Sequence, residues 1–276
     1  MNSVLLHLLI LWVVVLAVVG AIYATNRRGV KFKAPQASDI FAFIGVAFGV
    51  ILGLTTFFAS EHYGNVKQAA QSEATALGQV YALSGSFPVR NGVLLRRQLY
   101  CYATDVIDHE WTRDDGKGAP SVEARQDSGY SILLRVGNGH PHPDSWYSDA
   151  ISAALDAGTQ RQNRLLLSQP SITTPLWMLI YLGAALIVLF VFFFHLASRR
   201  EFIGMLVAVV IMLSGVVAVL AGLDSATQGP FGLAPTAMES ERGLMAPQVN
   251  PTGESPAAFC ARVPTLAVTA LPTTAG

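Results

Sequence analysis

Four long apolar runs constrain this chain more than any other feature of its sequence. Each is 20 or 21 residues long and contains no Asp, Glu, Lys or Arg; they cover residues 4–23, 40–59, 176–196 and 202–222. At about 1.5 Å of rise per residue, a helix of this length matches the roughly 30 Å hydrocarbon core of a bilayer. Inside that core only helices and closed barrels satisfy their backbone groups, and these runs lack the alternation of a barrel strand. The sequence therefore predicts an all-α membrane protein with four transmembrane helices.

The charge content excludes two broad classes of function. Only 13% of the residues are charged, and 18 Lys and Arg balance 18 Asp and Glu. A chain without net charge has no basic field to hold a nucleic-acid backbone. The sequence also contains no phosphate-binding loop, nucleophile elbow or H-E-x-x-H motif. We therefore expect neither nucleic-acid binding nor an enzyme, and no cofactor; the lipid bilayer is the expected partner.

The distribution of cations predicts an orientation in the cytoplasmic membrane. The two short connections between spans hold six cations: Arg27, Arg28, Lys31 and Lys33 in 24–39, and Arg199 and Arg200 in 197–201. Short cytoplasmic loops carry an excess of Lys and Arg. Both connections are therefore expected in the cytoplasm, and the N-terminus, segment 60–175 and the tail outside it. No basic stretch precedes the first run, so we expect a retained anchor and not a cleaved signal peptide.

Segment 60–175 is too long for a simple connector and predicts an extramembrane helical bundle. Apolar residues recur every three or four positions beyond the second run, which continues its helix to Leu83. Three further helices are expected near 91–111, 121–136 and 145–168.

The tail, residues 223–276, holds seven of the fourteen prolines and few large apolar residues. We expect it to be mostly disordered beyond about Ser240. Cys101 and Cys260 lie on one side of the membrane in either orientation, because two spans separate them. The two cysteines can form a disulfide if that side of the membrane is an oxidising compartment. The favoured prediction is that they are unpaired, because Cys260 falls in the tail and isolated cysteines commonly behave as small buried hydrophobes.

Three glycines of the second run predict a packing face. Gly45, Gly49 and Gly53 repeat at every fourth position and therefore line one side of a helix. Small residues at this spacing let another transmembrane helix approach closely. The alternative is that glycine is simply frequent in membrane helices. The partner of such a face is a helix of the same chain or of another subunit in a homo-oligomer.

Two carboxylates of the second helix need partners. Glu61 stands at the end of the second run, and Glu73 interrupts the apolar seam that follows it. Two interpretations are open. Either Glu61 and Glu73 line an ion path, or they form ion pairs with Arg161 or Arg164 of the last bundle helix. We favour the ion pair, because charged groups near a membrane edge are commonly paired or solvated.

The histidines do not predict a site. His140 and His142 flank prolines in a turn, and consecutive residues 108–110 point in different directions on a helix, so no metal centre is expected. His7 and His195 lie at the ends of spans one and three, where an interfacial side chain is the expected role.

Several stretches match the motifs of a known family. Residues 61–63 and 73–81 are similar to W-E-x-Y and E-A-x-A-L-x-x-L-Y, and residues 102–111 to Y-A-x-x-V-x-x-x-E-W. Arg164-Leu165 with 175–177, and Leu223-Asp224 with 230–232, are similar to R-L, P-x-L-W and L-D-x-P-F-x-G. In these motifs the chain resembles the bestrophin-like family of uncharacterised prokaryotic membrane proteins over about residues 1–240. Ser60 departs from the family's usual Trp, and extra residues separate Asp224 from Pro230.

The resemblance implies a distant analogy to bestrophin anion channels. One hypothesis is a homo-oligomeric channel-like pore for ions, with the glycine face of the second helix near the symmetry axis and Glu61 and Asp224 near the mouths. Such a pore needs several subunits, because four helices alone leave little room.

The alternative hypothesis is a non-conducting membrane scaffold or sensor whose bundle binds a partner. In that hypothesis Glu73, Glu110 and Trp111 stabilise the bundle, and Tyr81 joins them as a structural residue through its place in the family motif. Bestrophin channels keep their large helical part in the cytoplasm, whereas the cations of this chain place it outside. We retain the orientation that the cations predict.

Overall fold

The computed structural model describes residues 3–27, 38–113, 115–138, 145–193, 199–227 and 231–266. Every regular element in these ranges is helical, which confirms the all-α prediction. The α-helices are α1 (Ser3–Arg27), α2 (Ser38–Leu83), α3 (Val89–Asp105), α4 (Pro120–Asn138), α5 (Ser145–Leu167), α6 (Thr174–Phe193), α7 (Arg199–Asp224), α8 (Thr236–Val249) and α9 (Pro256–Ala261). A 3-10 turn, Ser84–Ser86, follows α2, and a π-helical segment, Val106–Glu110, follows α3.

Within the described ranges, α1, α2, α6 and α7 are long and apolar enough to cross a membrane, which confirms the four predicted transmembrane helices. Several predicted features lie outside the described residues: Arg28, Lys31, Lys33, His140, His142, His195 and Pro230.

The chain divides into two compact units. The membrane unit contains Met1–Tyr63 and Pro170–Gly232, and the bundle unit contains Gly64–Gln169 and Leu233–Gly276. The division falls within α2, so this one helix contributes to both cores.

In the membrane unit, α1 packs against α6 and α7. The most deeply buried side chains come from these three helices and include Leu11, Val15, Ile180, Ala184, Val188, Val217, Leu220 and Ala221. Phe48 of α2 packs where Gly183 of α6 has no side chain; a Cβ there would lie 2.1 Å from the Phe48 ring. His7 stacks on Trp177, with ring centroids 3.8 Å apart, and shares a hydrogen bond with Tyr181. Its ring therefore packs against α6.

The outward faces of the membrane helices keep large apolar side chains exposed. Trp12 of α1, Phe57 of α2 and Ile211 of α7 are each about half exposed or more. Such faces are stable against hydrocarbon and costly against water. The lipid bilayer is therefore the solvent that these helices require.

In the bundle unit, α3 packs on α4, α8 and α9. Leu95, Ile132, Leu133 and Met245 are at most 1% exposed and form the centre of its apolar core. Their burial removes from water the apolar stripe that each amphipathic helix carries.

The tail is more ordered than the sequence predicts. Beyond Ser240, where disorder was expected, the structure contains most of α8 and all of α9, and Met245 is fully buried in the core. The prediction of disorder is therefore wrong for residues 241–266. The prediction relied on the composition of the tail as a whole. A few apolar side chains are enough to order the tail, because they enter a core that other helices build.

Cys101 of α3 and Cys260 of α9 form a disulfide that links residues 159 positions apart in the sequence, with their Cα atoms 5.4 Å apart. The expectation of unpaired cysteines is therefore wrong. Its premise was a mobile Cys260, whereas α9 holds this residue against α3.

Candidate functional site

Four charged side chains meet inside the bundle unit and form what we call the charge network. Glu73 comes from α2, Glu110 ends the π-helical segment, and Arg161 and Arg164 come from α5. The two arginines are three residues apart and therefore share one face of their helix. None of the four is more than 5% exposed, so their charges are removed from bulk water.

Glu73 is held by two neighbours. The Arg164 Nε donates to its Oε2 at 2.6 Å, and the Arg164 Nη2 lies 3.4 Å from its Oε1. The Tyr102 hydroxyl donates to the same Oε1 at 2.7 Å. The Glu73 carboxylate thus contacts the Arg164 guanidinium through both of its oxygens and accepts a hydrogen bond from the neutral Tyr102 hydroxyl of α3.

Glu110 is held by both arginines and one backbone group. Arg164 Nη2 donates to its Oε1 at 2.6 Å, and Arg161 donates to Oε2 through Nη2 at 2.5 Å and to Oε1 through Nε at 3.1 Å. The Ala119 amide, at the start of α4, donates to Oε2 at 2.8 Å. Arg164 therefore bridges the two carboxylates, and the network joins α2, α5 and the chain around the π-helical segment.

The π-helical segment sets the direction of Glu110 and of the residue that follows it. The Trp111 amide donates to the Val106 carbonyl at 2.8 Å, a bond that spans five residues and not four. The Arg164 guanidinium lies over the Trp111 ring, 5.4 Å from its centroid, and the indole Nε1 donates to the Leu233 carbonyl at 2.6 Å. Trp111 thus covers the network and ties it to the chain that leads into α8.

The pKa values in the charge network are set by two opposing effects: burial of the ionisable groups, and their hydrogen bonds and ion pairs with one another. Burial acts to raise the pKa of the Glu110 carboxyl, but the hydrogen bond from Arg161, the charges of Arg164 and Arg161 and the Ala119 amide outweigh it and hold the pKa below its ordinary value. Burial, together with the neighbouring Glu73 charge, raises the pKa of Tyr102 well above its ordinary value. Glu110 therefore remains ionised beside the two guanidinium groups, and Tyr102 remains a neutral donor.

The arrangement is suited to holding helices together. Each carboxylate oxygen already accepts at least one short hydrogen bond from within the bundle, so no open oxygen pair is presented to a cation. Within the described ranges no three His, Cys, Asp or Glu side chains are placed to hold a metal ion. The network therefore has the chemistry of a buried ion-pair cluster.

The other predicted carboxylates lie in the membrane unit. Asp224, at the end of α7, is 6% exposed and accepts from the Ile172 amide at 2.7 Å and from the Ser171 hydroxyl at 3.3 Å. It therefore fixes the turn that leads into α6. Glu61 is exposed on α2 and has no ion-pair partner within the described ranges. Glu61 thus belongs to the membrane unit and Glu73 to the bundle unit, although the sequence analysis treated the two carboxylates together.

The glycine face of α2 meets no other part of the described chain. A Cβ built at Gly45, Gly49 or Gly53 would have no neighbour within 4 Å. The same helix carries the buried Phe48, Thr55 and Ala59, whose positions lie about 100° around the helix axis from the centre of the glycine face. These three residues face their own unit, and the glycine face remains open.

Tyr81 lies in the bundle unit outside the charge network. Its hydroxyl donates to the Gln248 Oε1 of α8 at 3.0 Å, and the Arg96 guanidinium lies 5.4 Å from its ring centroid. It therefore connects the end of α2 to α3 and α8.

Sequence reasoning missed three buried polar residues of the bundle unit: Gln98, Asp105 and Arg125, each at most 8% exposed. Arg125 Nε donates to the Asp105 Oδ2 at 3.3 Å, and Nη1 to the Gln98 Oε1 at 3.3 Å. In the sequence all three lie on amphipathic helices and resemble ordinary solvated residues. The feature that distinguishes them is the tail packed over them, which the sequence analysis took to be disordered.

The four membrane-crossing helices and the helical bundle define a polytopic all-α membrane protein. The sequence profile of the Bestrophin-like domain matches residues 11–238, and the chain therefore belongs to the Bestrophin-like family. This confirms the family that the sequence motifs indicated. No curated protein matches the chain significantly.

Solved structures show the same fold. A single-residue variant of a bacterial bestrophin homologue from Klebsiella pneumoniae is similar with a TM-score of 0.66 at 10% identity, over 90% of this chain and 99% of that one. A second variant of a bacterial bestrophin homologue from the same organism gives a TM-score of 0.60 at 12% identity, over 88% of this chain and 98% of that one.

Proposed function

We propose that the protein is a non-enzymatic, homo-oligomeric ion pore of the bestrophin-like type, with the glycine face of α2 near the symmetry axis. The observation that carries this proposal is the open space beside Gly45, Gly49 and Gly53 on a helix that also carries the buried Phe48, Thr55 and Ala59. A face of small residues that no described helix covers is suited to close contact with another copy of the chain. The family and the fold support the same conclusion.

The oligomer is needed for physical reasons. The core of the membrane unit is built from apolar side chains, most of them from α1, α6 and α7. We therefore propose that the ion path lies outside this core, between the α2 helices of several copies. Glu61, exposed at the end of the α2 membrane span, and Asp224, at the end of α7, are then proposed to lie near the mouths of the pore. Anions are the proposed permeant class, by analogy with the family.

Purified protein in liposomes tests conduction. We expect channel-sized currents that Gly49→Leu alters, because the leucine side chain would fill the open face of α2. The matched control is Gly215→Leu in α7, where a glycine Cβ also has no neighbour within 4 Å. Equal effects of the two substitutions would contradict a special role for the α2 face. An intact oligomer that carries no current would refute the pore itself.

A second candidate function is a non-conducting scaffold or sensor whose bundle binds a partner. The charge network favours it, because four buried charged residues stabilise one arrangement of the helices without offering an ion site. The same liposome experiment separates the two functions: silent oligomers whose bundle retains its native stability support the scaffold.

We also propose that the N-terminus, the bundle unit and the tail lie outside the cytoplasm, with the protein in the cytoplasmic membrane. The cations of the two short connections support this orientation. The Cys101–Cys260 disulfide supports it independently, because disulfides persist in oxidising compartments and are rare in the cytosol. This orientation is opposite to the one that the analogy with bestrophin channels implies.

Single cysteines in a chain carrying Cys101→Ser and Cys260→Ser test the orientation. Ser152→Cys places a thiol at an exposed position of α5, and Ser198→Cys places one in the second short connection. A thiol reagent that cannot cross membranes is expected to label the first in intact cells and the second only after permeabilisation. The reverse pattern would overturn the proposed orientation.

A further inference from the structure

The chain that ends the described residues lies as a strap on α3 and α4 of the bundle unit. We define the strap as residues 256–266, which comprise α9 and the five residues after it. The Bestrophin-like profile ends at residue 238, so the strap lies beyond the part of the chain that defines the family. The groove beneath it is built by helices that belong to the family domain.

Buried side chains of the groove bind the main chain of the strap. Arg125 donates to the Cys260 carbonyl at 2.7 Å and to the Val263 carbonyl at 2.6 Å. The Gln98 side-chain amide donates to the Pro264 carbonyl at 2.7 Å. Arg125 is 8% exposed and Gln98 2%, and both are held in place by contacts within the bundle.

The last strap residue is bound through its amide. The Leu266 amide donates to the Ser128 Oγ at 2.7 Å, and the Ser128 hydroxyl donates to the Ala124 carbonyl of its own helix at 2.7 Å. Three groove side chains thus bind three carbonyls and one amide of the strap. These are backbone groups that every peptide carries, so the polar contacts do not depend on the side chains of the strap.

Apolar side chains of the strap supply the remaining contacts. Phe259 meets the Tyr100 ring edge to face, with centroids 5.6 Å apart, and Val263 and Leu266 pack against the bundle core. Arg262 and Thr265 between them are exposed. The disulfide from Cys260 to α3 then makes the attachment covalent.

We propose that this α3–α4 groove is a binding site for a peptide main chain, and that the strap is its tethered occupant. The ligand class is a peptide with large apolar side chains spaced as in Phe259, Val263 and Leu266, helical at the first and non-helical after it. When the strap leaves, water replaces the carbonyl acceptors of Arg125 and Gln98, and another peptide main chain restores these hydrogen bonds while it covers the apolar groove. The tether keeps the strap at high effective concentration, so it excludes free peptides while the chain is intact.

Peptide exchange on the full chain tests the proposal. In a chain carrying Cys101→Ser and Cys260→Ser, a specific protease site is inserted between Thr252 and Gly253, which are exposed in a turn. After cleavage in detergent and gel filtration, a fluorescent peptide of residues 254–266 with Cys260→Ser is added and its anisotropy is measured. We expect saturable binding to the cleaved protein and at least tenfold weaker binding to the uncleaved protein.

Matched controls identify the groove. A peptide that also carries Phe259→Ala and Val263→Ala is expected to bind at least tenfold more weakly, and Ser128→Ala in the protein is expected to weaken binding of the normal peptide severalfold. A cleaved protein that keeps its helical content and elution volume but binds no peptide would overturn the proposal. Loss of the bundle fold on cleavage would also overturn it, because the strap would then be an inseparable part of the core.

A chain with its native cysteines covers the case in which the serine variant does not fold. Cleavage at the same inserted site leaves the strap attached through the disulfide, and a dithiol reductant then supplies two electrons and two protons to release it. Peptide binding is expected only after reduction. A reduced, folded protein without peptide binding would reject the proposed site.

Discussion

In the membrane unit, α1, α6 and α7 pack through apolar and small side chains, whereas in the bundle unit α2, α5 and the π-helical segment meet around two carboxylates and two guanidinium groups. The first kind of packing is more tolerant, because one apolar side chain can be exchanged for another of similar volume. The second is exacting, because each charged group depends on its partners. We therefore expect single substitutions to damage the bundle unit far more than the membrane unit.

The largest effect is expected for Arg164→Met. It leaves Glu73 and Glu110 buried without their shared cation, which typically costs about 3–5 kcal/mol. Urea unfolding in detergent, with hydrogen exchange to separate the two units, measures the loss. Arg97→Met on the exposed side of α3 is the control and is expected to change stability by less than about 0.5 kcal/mol. Similar costs for both substitutions would contradict the special role of the charge network.

Removal of the disulfide is expected to have the next largest effect. Cys101→Ser with Cys260→Ser is predicted to lower the free energy of unfolding of the bundle unit by about 2–5 kcal/mol, because the unfolded chain is no longer cross-linked. Urea unfolding in detergent, with hydrogen exchange of α3 and α4 to isolate the bundle unit, measures the change. Protection of α1, α6 and α7 from hydrogen exchange should stay the same, and a parallel loss there would argue against separate units.

In the membrane unit the largest single polar effect is expected at Asp224. Asp224→Ala leaves the buried Ile172 amide without its acceptor, at a cost of about 1–3 kcal/mol. Asp224→Asn keeps one acceptor oxygen and should restore most of the stability. Hydrogen exchange at the start of α6 measures both variants. Equal losses in the two would show that the charge matters more than the hydrogen bond.

Acid should weaken the bundle unit through Glu110. Because its folded pKa lies below the unfolded value of about 4.5, its contribution to stability is present above that pH and is lost as the pH falls through the folded pKa. Glu110→Gln should flatten this pH dependence and be less stable than the native chain at neutral pH. Denaturation midpoints between pH 3 and 7 measure the profile. An unchanged profile in the variant would assign the acid sensitivity to other groups.

The smallest expected effect is a gain. Gly129 lies in α4 beside an internal cavity of about 40 Å³, and a Cβ there would meet only Leu95, at 4.0 Å. Gly129→Ala should therefore stabilise the bundle unit by up to about 1 kcal/mol, because alanine favours the helix. Gly158→Ala on α5 is the matched control and is expected to lower stability, since its Cβ would lie 2.6 Å from the Tyr130 hydroxyl. Thermal midpoints should move in opposite directions, and a shared direction would refute the geometry.

The same contrast explains what the sequence can predict. The membrane helices follow from runs without charged residues, and the course of α2 to Leu83 follows from helical periodicity, since both signals are local. The approach of Glu73 to Arg164 was suggested by the need of a buried carboxylate for a partner. The roles of Tyr102, Gln98 and Arg125 depend on helices distant in the sequence, and local patterns carry no information about such contacts.

The tail shows the opposite failure. Its prolines suggested disorder, yet two of them, Pro235 and Pro256, stand at the starts of α8 and α9, where proline is well tolerated because the first helical amides need no acceptor within the helix. The argument from composition counted these prolines but took no account of their positions in the helices. Order in the tail also depends on Met238 and Cys260 reaching partners in α3, which the sequence cannot indicate.

The π-helical segment makes the length of the chain before Glu110 as important as its residue types. A π-helical turn holds one residue more than an α-helical turn, so deleting one residue between Val106 and His109 would let the segment relax to an ordinary α-helix and leave the following chain close to its present direction. Deleting a second residue would rotate the chain after it by roughly 100°. Glu110 and Trp111 would then turn away from Arg161 and Arg164, although no residue of the charge network had been replaced. A lineage that keeps this cluster is therefore expected to tolerate the loss of one residue in the segment more readily than the loss of two.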